Sequence, residues 1–167
     1  RDAIVVLGAP LAPDGALSTV VAERVAGGVA LWKAGGAPLL VMSGGFGLCG
    51  NPGQVIYAAA KSGLEGLTLT LCKEWGRYKV NVNCVAFGFI RTRLTRPLDS
   101  PEARIVIGER EICAGIPPAT IGFLERLVPI GRAGTPEEAA DAVYLFCSPE
   151  SNYISGQTVI CGGGLRI

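Results

Sequence analysis

Apolar positions along the chain fall into two kinds of pattern: short continuous runs, and longer stretches that repeat every three or four residues. Ala3–Leu7 is a continuous run closed by Gly8, and Leu39–Met42 is a second, followed by Ser43-Gly44-Gly45. Such runs predict strands buried on both faces, as a parallel sheet requires. Between them Val21, Val25, Val29 and Trp32 form one apolar stripe, which predicts a helix capped by Ser18 and stopped by Gly35-Gly36. A glycine-rich stretch reaches Gly53, and a long helix is predicted from about Val55 to Tyr78, with Leu64, Leu67, Leu71 and Trp75 on one side. Asn81–Ala86 reads as a third strand and Thr158–Cys161 as the last, closed by Gly162-Gly163-Gly164. Residues 87–100 read as a loop, and 101–127 as one or two helices covering a cleft. Thr135-Pro136-Glu137-Glu138 is a helix start with a cap, a proline at the first helical position and a capping box, and that helix is predicted to reach about Cys147. Parallel strands joined by right-handed crossover helices follow. The expected fold is α/β: one domain over 1–167, a four-stranded parallel, Rossmann-like (half-Rossmann) sheet with helices on both faces.

Composition narrows the function. Of 167 residues 49% are hydrophobic and 17% charged, which suits a packed core. A net charge of +1 leaves no footprint for nucleic acid or an anionic membrane, and we expect neither as a partner. There is no histidine, so Ser-His and Cys-His nucleophilic mechanisms are excluded. The six cysteines show no C-x-x-C spacing and are expected to be buried, reduced thiols; no metal is expected, and a cytoplasmic location is. The chain opens on Arg1-Asp2 rather than Met and is read as a fragment.

Several short motifs follow one another from Gly50 onward. They are Gly50-Asn51-Pro52-Gly53-Gln54, Tyr57-x-x-x-Lys61-Ser62-Gly63, Val80-Asn81-Val82-Asn83, Gly88-Phe89-Ile90-Arg91-Thr92, Pro129-Ile130-Gly131-Arg132, Thr135-Pro136-Glu137-Glu138 and Tyr153-Ile154-Ser155-Gly156-Gln157. As a set they resemble the C-terminal half of short-chain dehydrogenases/reductases, most closely the ketoacyl-carrier-protein reductase branch, over about 118 residues. Residues 2–45 carry Pro13-Asp14-Gly15, Ser18, Glu23-Arg24 and Ser43-Gly44-Gly45, and resemble the opening βαβ unit of the YdcF/SanA-like envelope-protein family. The expectation is a chimera: 1–48 of the second kind, 49–167 of the first.

The reductase resemblance implies a catalytic pair. Tyr57 and Lys61 lie four apart on a helix and so share a face. A phenol is a weak acid near neutrality, and a neighbouring ammonium stabilises its anion. By resemblance, Tyr57 protonates a carbonyl oxygen as hydride arrives from a nicotinamide, and Lys61 also holds the cofactor's ribose. The family's serine stands thirteen residues before the tyrosine, which here is Gly44; Ser43, one place away, is the candidate. Ile90 and Thr92 match positions that touch the nicotinamide amide and a cofactor phosphate. Phe87 stands where the family usually has proline, and its ring either blocks the nicotinamide wall or packs into core. The family's phosphate-binding turn has no counterpart. Gly8–Gly15 has the wrong spacing and two prolines, and Gly45–Gly50 fits G-x-G-x-x-G without opening directly into a helix.

Three functions compete on these grounds. The first is an engineered or chimeric scaffold with little or no oxidoreductase activity, to which NAD(P) is implied by resemblance but does not bind. The second is an NAD(P)H-dependent 3-oxoacyl/carbonyl reductase using Tyr57 and Lys61. The third is a small-ligand or nucleotide-binding module at the carboxyl ends of the strands. A homodimer or larger homo-oligomer is expected, because bare strand edges recruit partners.

Overall fold

The computed structural model describes residues 3–7, 39–44, 50, 52–107 and 110–165, with side chains from Gly50 onward except near 102 and 105–112. The helix expected over 19–34 lies outside them. Four strands, β1 (Ala3–Leu7), β2 (Leu39–Gly44), β3 (Asn81–Phe87) and β6 (Thr158–Cys161), form one parallel sheet in the order β1-β2-β3-β6. The register runs Ala3 against Leu39, Leu39 against Asn81, and Cys84 against Thr158.

Helix α1 (Val55–Trp75) crosses from β2 to β3, and a single 3-10 turn at Gly76–Tyr78 closes it. Lys79 follows in the left-handed region at φ 63° and turns the chain into β3. The predicted apolar side of α1 is the one that packs: Leu64, Leu67, Leu71, Cys72 and Trp75 lie against Val80 and Val82. Thr68 is fully buried on this helix because its hydroxyl donates to the Leu64 carbonyl at 2.7 Å.

Helix α3 (Pro136–Leu145) packs on the other side of β3. Ala142, Val143, Phe146 and Cys147 surround Val85, together with Phe87 and Cys161. Successive strand residues point to opposite faces. Val82 and Val85 therefore belong to different faces, and the helices flank β3 on both. Thr135 caps α3 as expected: its hydroxyl accepts from the Glu138 N–H at 3.2 Å, and the Glu138 carboxylate accepts from the Thr135 N–H at 2.8 Å.

The segment 101–127 departs from the expectation. Instead of one or two helices it holds an antiparallel hairpin, β4 (Arg104–Ile107) with β5 (Arg110–Cys113), and only then a helix, α2 (Pro118–Leu127). Ile105–Ile107 is a β-branched run that cannot relax its χ1 angles well in a helix, and two residues separate it from the next run, the spacing of a tight hairpin. Helix α2 covers a third core of Phe89, Val128, Ala133 and Leu165, with Ile116, Ile121 and Leu124 packed on it. The cysteines also divide. Cys84 is buried, Cys72, Cys147 and Cys161 are half-buried, and Cys113 is exposed, against the expectation of buried thiols. Among the described residues no helix is long and apolar enough to cross a membrane.

Candidate active site

In a parallel sheet every crossover helix begins near the carboxyl ends of the strands, so α1 starts beside the ends of β2 and β3. Tyr57 sits in its first turn, 38% exposed, and Lys61 follows one turn later, half-buried. The Lys61 Nζ lies 5.5 Å from the centroid of the Tyr57 ring, within reach of a cation–π attraction. Burial lowers the proton affinity of Lys61, and the nearby Cys84 sulfur opposes that fall. The two predicted catalytic residues are thus together at the mouth of the sheet.

Ser43 is the next-to-last residue of β2. The backbone register sets it against Val85, and sets Gly44 against Ala86. Only its backbone is described.

The loop after β3 carries the other two predicted residues. Ile90 is 8% exposed and bridges to Gly134, whose carbonyl accepts from the Arg91 N–H at 2.8 Å. Thr95 fixes this loop: its hydroxyl accepts from the Thr92 N–H at 2.7 Å and donates to the Ile90 carbonyl at 2.7 Å. The Thr92 hydroxyl lies 3.3 Å from that of Thr95 and accepts from the Leu94 N–H. Sequence reasoning missed Thr95, although threonines three apart in Arg91–Arg96 are the signal for such a hydroxyl-locked turn.

Phe87 resolves to one of its two expected roles. It packs with Val85, Val143 and Phe146 on the α3 face of β3, away from the face that α1 covers. It does not stand over Tyr57 or Lys61.

Two cavities flank the sheet. A cavity of about 230 Å³ borders Phe89, Ile90, Arg132, Glu138, Cys161 and Gly162 at the carboxyl ends of β3 and β6. Beside it Arg132 and Glu138 form a two-pronged ion pair, with Nη1 to Oε2 at 2.8 Å. A larger one, about 610 Å³, lies at the opposite, amino end of β3 around Val80 and Asn81. Its serine hydroxyls are committed to the protein: Ser148 donates to the Leu145 carbonyl, Ser151 to that of Ser148, and Ser155 accepts from the Val82 N–H. Of the sequence-predicted site residues, the smaller cavity touches Ile90. Among the described residues no cluster of His, Cys, Asp and Glu is arranged to hold a metal ion.

The described residues suit the nicotinamide-ribose end of a dinucleotide. Lys61 offers a partly desolvated cation beside a partly exposed phenol, at the strand ends where open parallel sheets bind ligands. The Gly8–Gly15 turn and Gly45–Cys49, where a pyrophosphate would be sought, lie outside the described residues.

Comparison with known proteins agrees with this geometry. Residues 18–166 match the family model described as enoyl-(acyl carrier protein) reductase. The chain is 38% identical over 133 residues to a 3-oxoacyl-(acyl-carrier-protein) reductase of Chlamydia muridarum, covering 80% of this chain and 46% of that protein. It is 36% identical over 121 residues to the enzyme of the same name from Thermotoga maritima, covering 72% and 42%. The chain spans less than half the length of these relatives. Among solved structures, a gluconate 5-dehydrogenase from Burkholderia cenocepacia, in complex with NADP and tartrate, superimposes with a TM-score of 0.73 at 26% identity, over 98% of this chain and 64% of that one. A 3-oxoacyl-(acyl-carrier protein) reductase from Brucella melitensis gives 0.68 at 26%, over 98% and 57%. The family match reaches back to residue 18, inside the stretch assigned above to a second family, and nothing among these matches supports that assignment. The pairing of Tyr57 with Lys61 at the strand ends and the match over 18–166 place this chain in the short-chain dehydrogenase/reductase family.

Proposed function

We propose that this protein is an NAD(P)H-dependent 3-oxoacyl or carbonyl reductase, with Tyr57 as the proton donor and Lys61 as the cation that makes the phenol a usable acid. The relatives favour this reading over the inactive scaffold expected from sequence, since they include 3-oxoacyl-(acyl-carrier-protein) reductases. The observation that carries it is the Lys61 Nζ held 5.5 Å from the Tyr57 ring at the open end of the sheet.

In the proposed reaction the carbonyl oxygen sits at the Tyr57 hydroxyl. A bound NAD(P)H supplies hydride to the carbonyl carbon. Tyr57 gives its proton to the oxygen as the C–O double bond becomes single. The ammonium of Lys61 stabilises the phenolate left behind, which takes a proton back from solvent. Lys61 also reaches the ribose hydroxyls in this proposal, and Ile90 and Thr92 line the nicotinamide side, on a loop that Thr95 holds still. Ser43 is the hydroxyl proposed to share the carbonyl oxygen with Tyr57.

The test is titration with NADH and NADPH followed by fluorescence, together with oxidation of the reduced cofactor by an acetoacetyl thioester. Saturable binding and turnover are expected. Turnover should fall about 100-fold or more in Tyr57→Phe with cofactor binding retained, the size of loss general-acid removal produces. Neither cofactor binding, or turnover unaltered in Tyr57→Phe, would sink the proposal.

A further inference from the structure

The loop that leaves the carboxyl end of β3 is fastened on both sides of a short span. On the near side the Gly88 N–H donates to the Cys161 carbonyl at 2.9 Å and the Arg91 N–H to the Gly134 carbonyl at 2.8 Å. On the far side the Ile116 N–H donates to the Arg96 carbonyl at 2.9 Å. Thr92, Arg93, Leu94 and Thr95 lie between; the first three are exposed and Thr95 is half-buried. A turn closes the span, the Thr95 N–H donating to the Thr92 carbonyl at 3.1 Å. Among the described residues its other bonds run through two threonine hydroxyls. A hydroxyl has one proton to give and two lone pairs to accept with. The Thr95 oxygen lies 2.7 Å from the Ile90 carbonyl oxygen, 3.3 Å from the Thr92 carbonyl oxygen and 3.3 Å from the Thr92 hydroxyl. O–H···O bonds run to about 3.0 Å, so the Thr95 proton goes to Ile90. The same oxygen accepts from the Thr92 N–H at 2.7 Å. Toward the Thr92 hydroxyl Thr95 can then only accept, and at 3.3 Å it does so weakly. The Thr92 oxygen accepts in its turn from the Leu94 N–H at 3.3 Å. Thr92 is left with its oxygen engaged by the chain and its proton loosely held.

We propose that Thr95 is a positioning residue for cofactor binding: by donating to the Ile90 carbonyl and accepting from the Thr92 N–H, its hydroxyl locks the loop and leaves Thr92 as a hydrogen-bond donor for an anionic oxygen of the dinucleotide. The role rests on the reductase reading, in which Ile90 and Thr92 line the cofactor; the bonds themselves do not depend on it. A phosphate oxygen accepts more strongly than a neutral hydroxyl does, so it would draw the Thr92 proton away from its weak contact with Thr95. Without the Thr95 hydroxyl, the Ile90 carbonyl and the Thr92 N–H lose these partners. The span would then have to be ordered at the moment the cofactor binds, and that ordering is taken from the affinity. Threonine suits the task because its branched Cβ restricts χ1 and so holds the hydroxyl in one direction.

The test compares Thr95→Val, which keeps the shape and removes the hydroxyl, with Thr95→Ser, which keeps the hydroxyl, both in the full chain. Thr95→Ala gives the same readouts should valine unsettle the loop. Amide hydrogen exchange at Thr92, with no cofactor present, reads the lock. It is expected to quicken about tenfold in Thr95→Val, the scale of one hydrogen bond, and to stay near the wild-type rate in Thr95→Ser. Titration with NADPH followed by fluorescence reads the role. Kd should rise about tenfold in Thr95→Val and recover in Thr95→Ser, and KM for NADPH should rise with it while kcat changes far less. In a Thr92→Val background, where the donor itself is gone, adding Thr95→Val should weaken binding clearly less, because the two residues act through one group. Thr92 exchange unaltered in Thr95→Val overturns the proposal. So does an NADPH affinity unaltered in a variant whose exchange has quickened, and with a wild type that binds and turns over, that result leaves the reductase reading intact. A wild type that binds neither NADPH nor NADH sinks the reductase reading and the cofactor role together, and the exchange rates then report on the loop alone.

Discussion

Asn83 offers the sharpest test of how the fold joins its last strand to the sheet. It is fully buried in β3 between Val82 and Cys84. Its carboxamide Nδ2 donates to the Ile154 carbonyl at 2.9 Å, and its Oδ1 accepts from the Gln157 N–H at 3.1 Å. Those partners belong to the turn that feeds β6, so one side chain sets where the last strand joins the sheet. Asn83→Ala removes both bonds and leaves a carbonyl and an amide without their partner. Orphaning one buried polar group costs about 1–3 kcal/mol, and two sharing a turn, open to some rescue by water, should cost about 2–4 kcal/mol together. Urea denaturation followed by circular dichroism would read this as a midpoint lower by about 1–2 M at ordinary slopes. Asn83→Asp adds a signature that packing cannot imitate. Its carboxylate still accepts from Gln157 but offers an oxygen where Ile154 needs a donor. The folded state then favours the protonated acid, so its pKa is raised above the unfolded value of about 3.9. The destabilisation is full above the raised folded value and fades as pH falls from it toward the unfolded one. A loss below about 0.5 kcal/mol in Asn83→Ala, within the scatter of ordinary surface substitutions, would refute the account. So would an Asn83→Asp deficit that ignores pH.

The capping box of α3 yields two smaller predictions. Thr135→Ala should cost about 1 kcal/mol by thermal or chemical denaturation, since the Glu138 N–H loses its acceptor; no measurable loss would count against a structural role for the cap. Glu138 is held at about 2 by the Arg132 guanidinium and then by the Thr135 N–H. Its folded pKa is depressed, so its contribution is present above the unfolded value of about 4.3 and is lost as pH falls from there through about 2. Stability of wild type minus Glu138→Gln should be level above about pH 5, close in acid and shrink with salt, as both side chains are solvent-exposed; a difference unchanged down to pH 2 would show that the ion pair does not report on folding.

Much of the architecture is legible in the chain because local signals agree with the global fold. The Leu64–Trp75 stripe, the capping box at Thr135 and the apolar runs of β1, β2, β3 and β6 are each read by one rule, and the structure places each where that rule does. The hairpin at 104–113 departs from the helical expectation because its β-branched run, Ile105–Ile107, favours a strand over a helix. Tyr57 and Lys61 are legible because the resemblance singles them out, and their spacing of four on a helix fixes a shared face.

The rest of the site was hidden for a reason that lies in the sheet itself. A strand covered on both faces does not alternate apolar with polar residues by face, so the sequence does not mark which residues look toward which helix. In β3 every residue from Val82 to Ala86 is buried. Neither Phe87 nor Cys84 can be assigned a side until it is known which helix crosses which face. Motif position alone leaves the Phe87 ring either against the nicotinamide wall or in the core. Packing sends it to Val143 and Phe146, under α3. The same alternation that takes Phe87 away from the face under α1 puts Cys84 on that face, three residues earlier. A bulky residue where proline is usual is therefore no argument against the proposed activity, because the ring packs on the face of β3 opposite the one that α1, which carries Tyr57 and Lys61, covers.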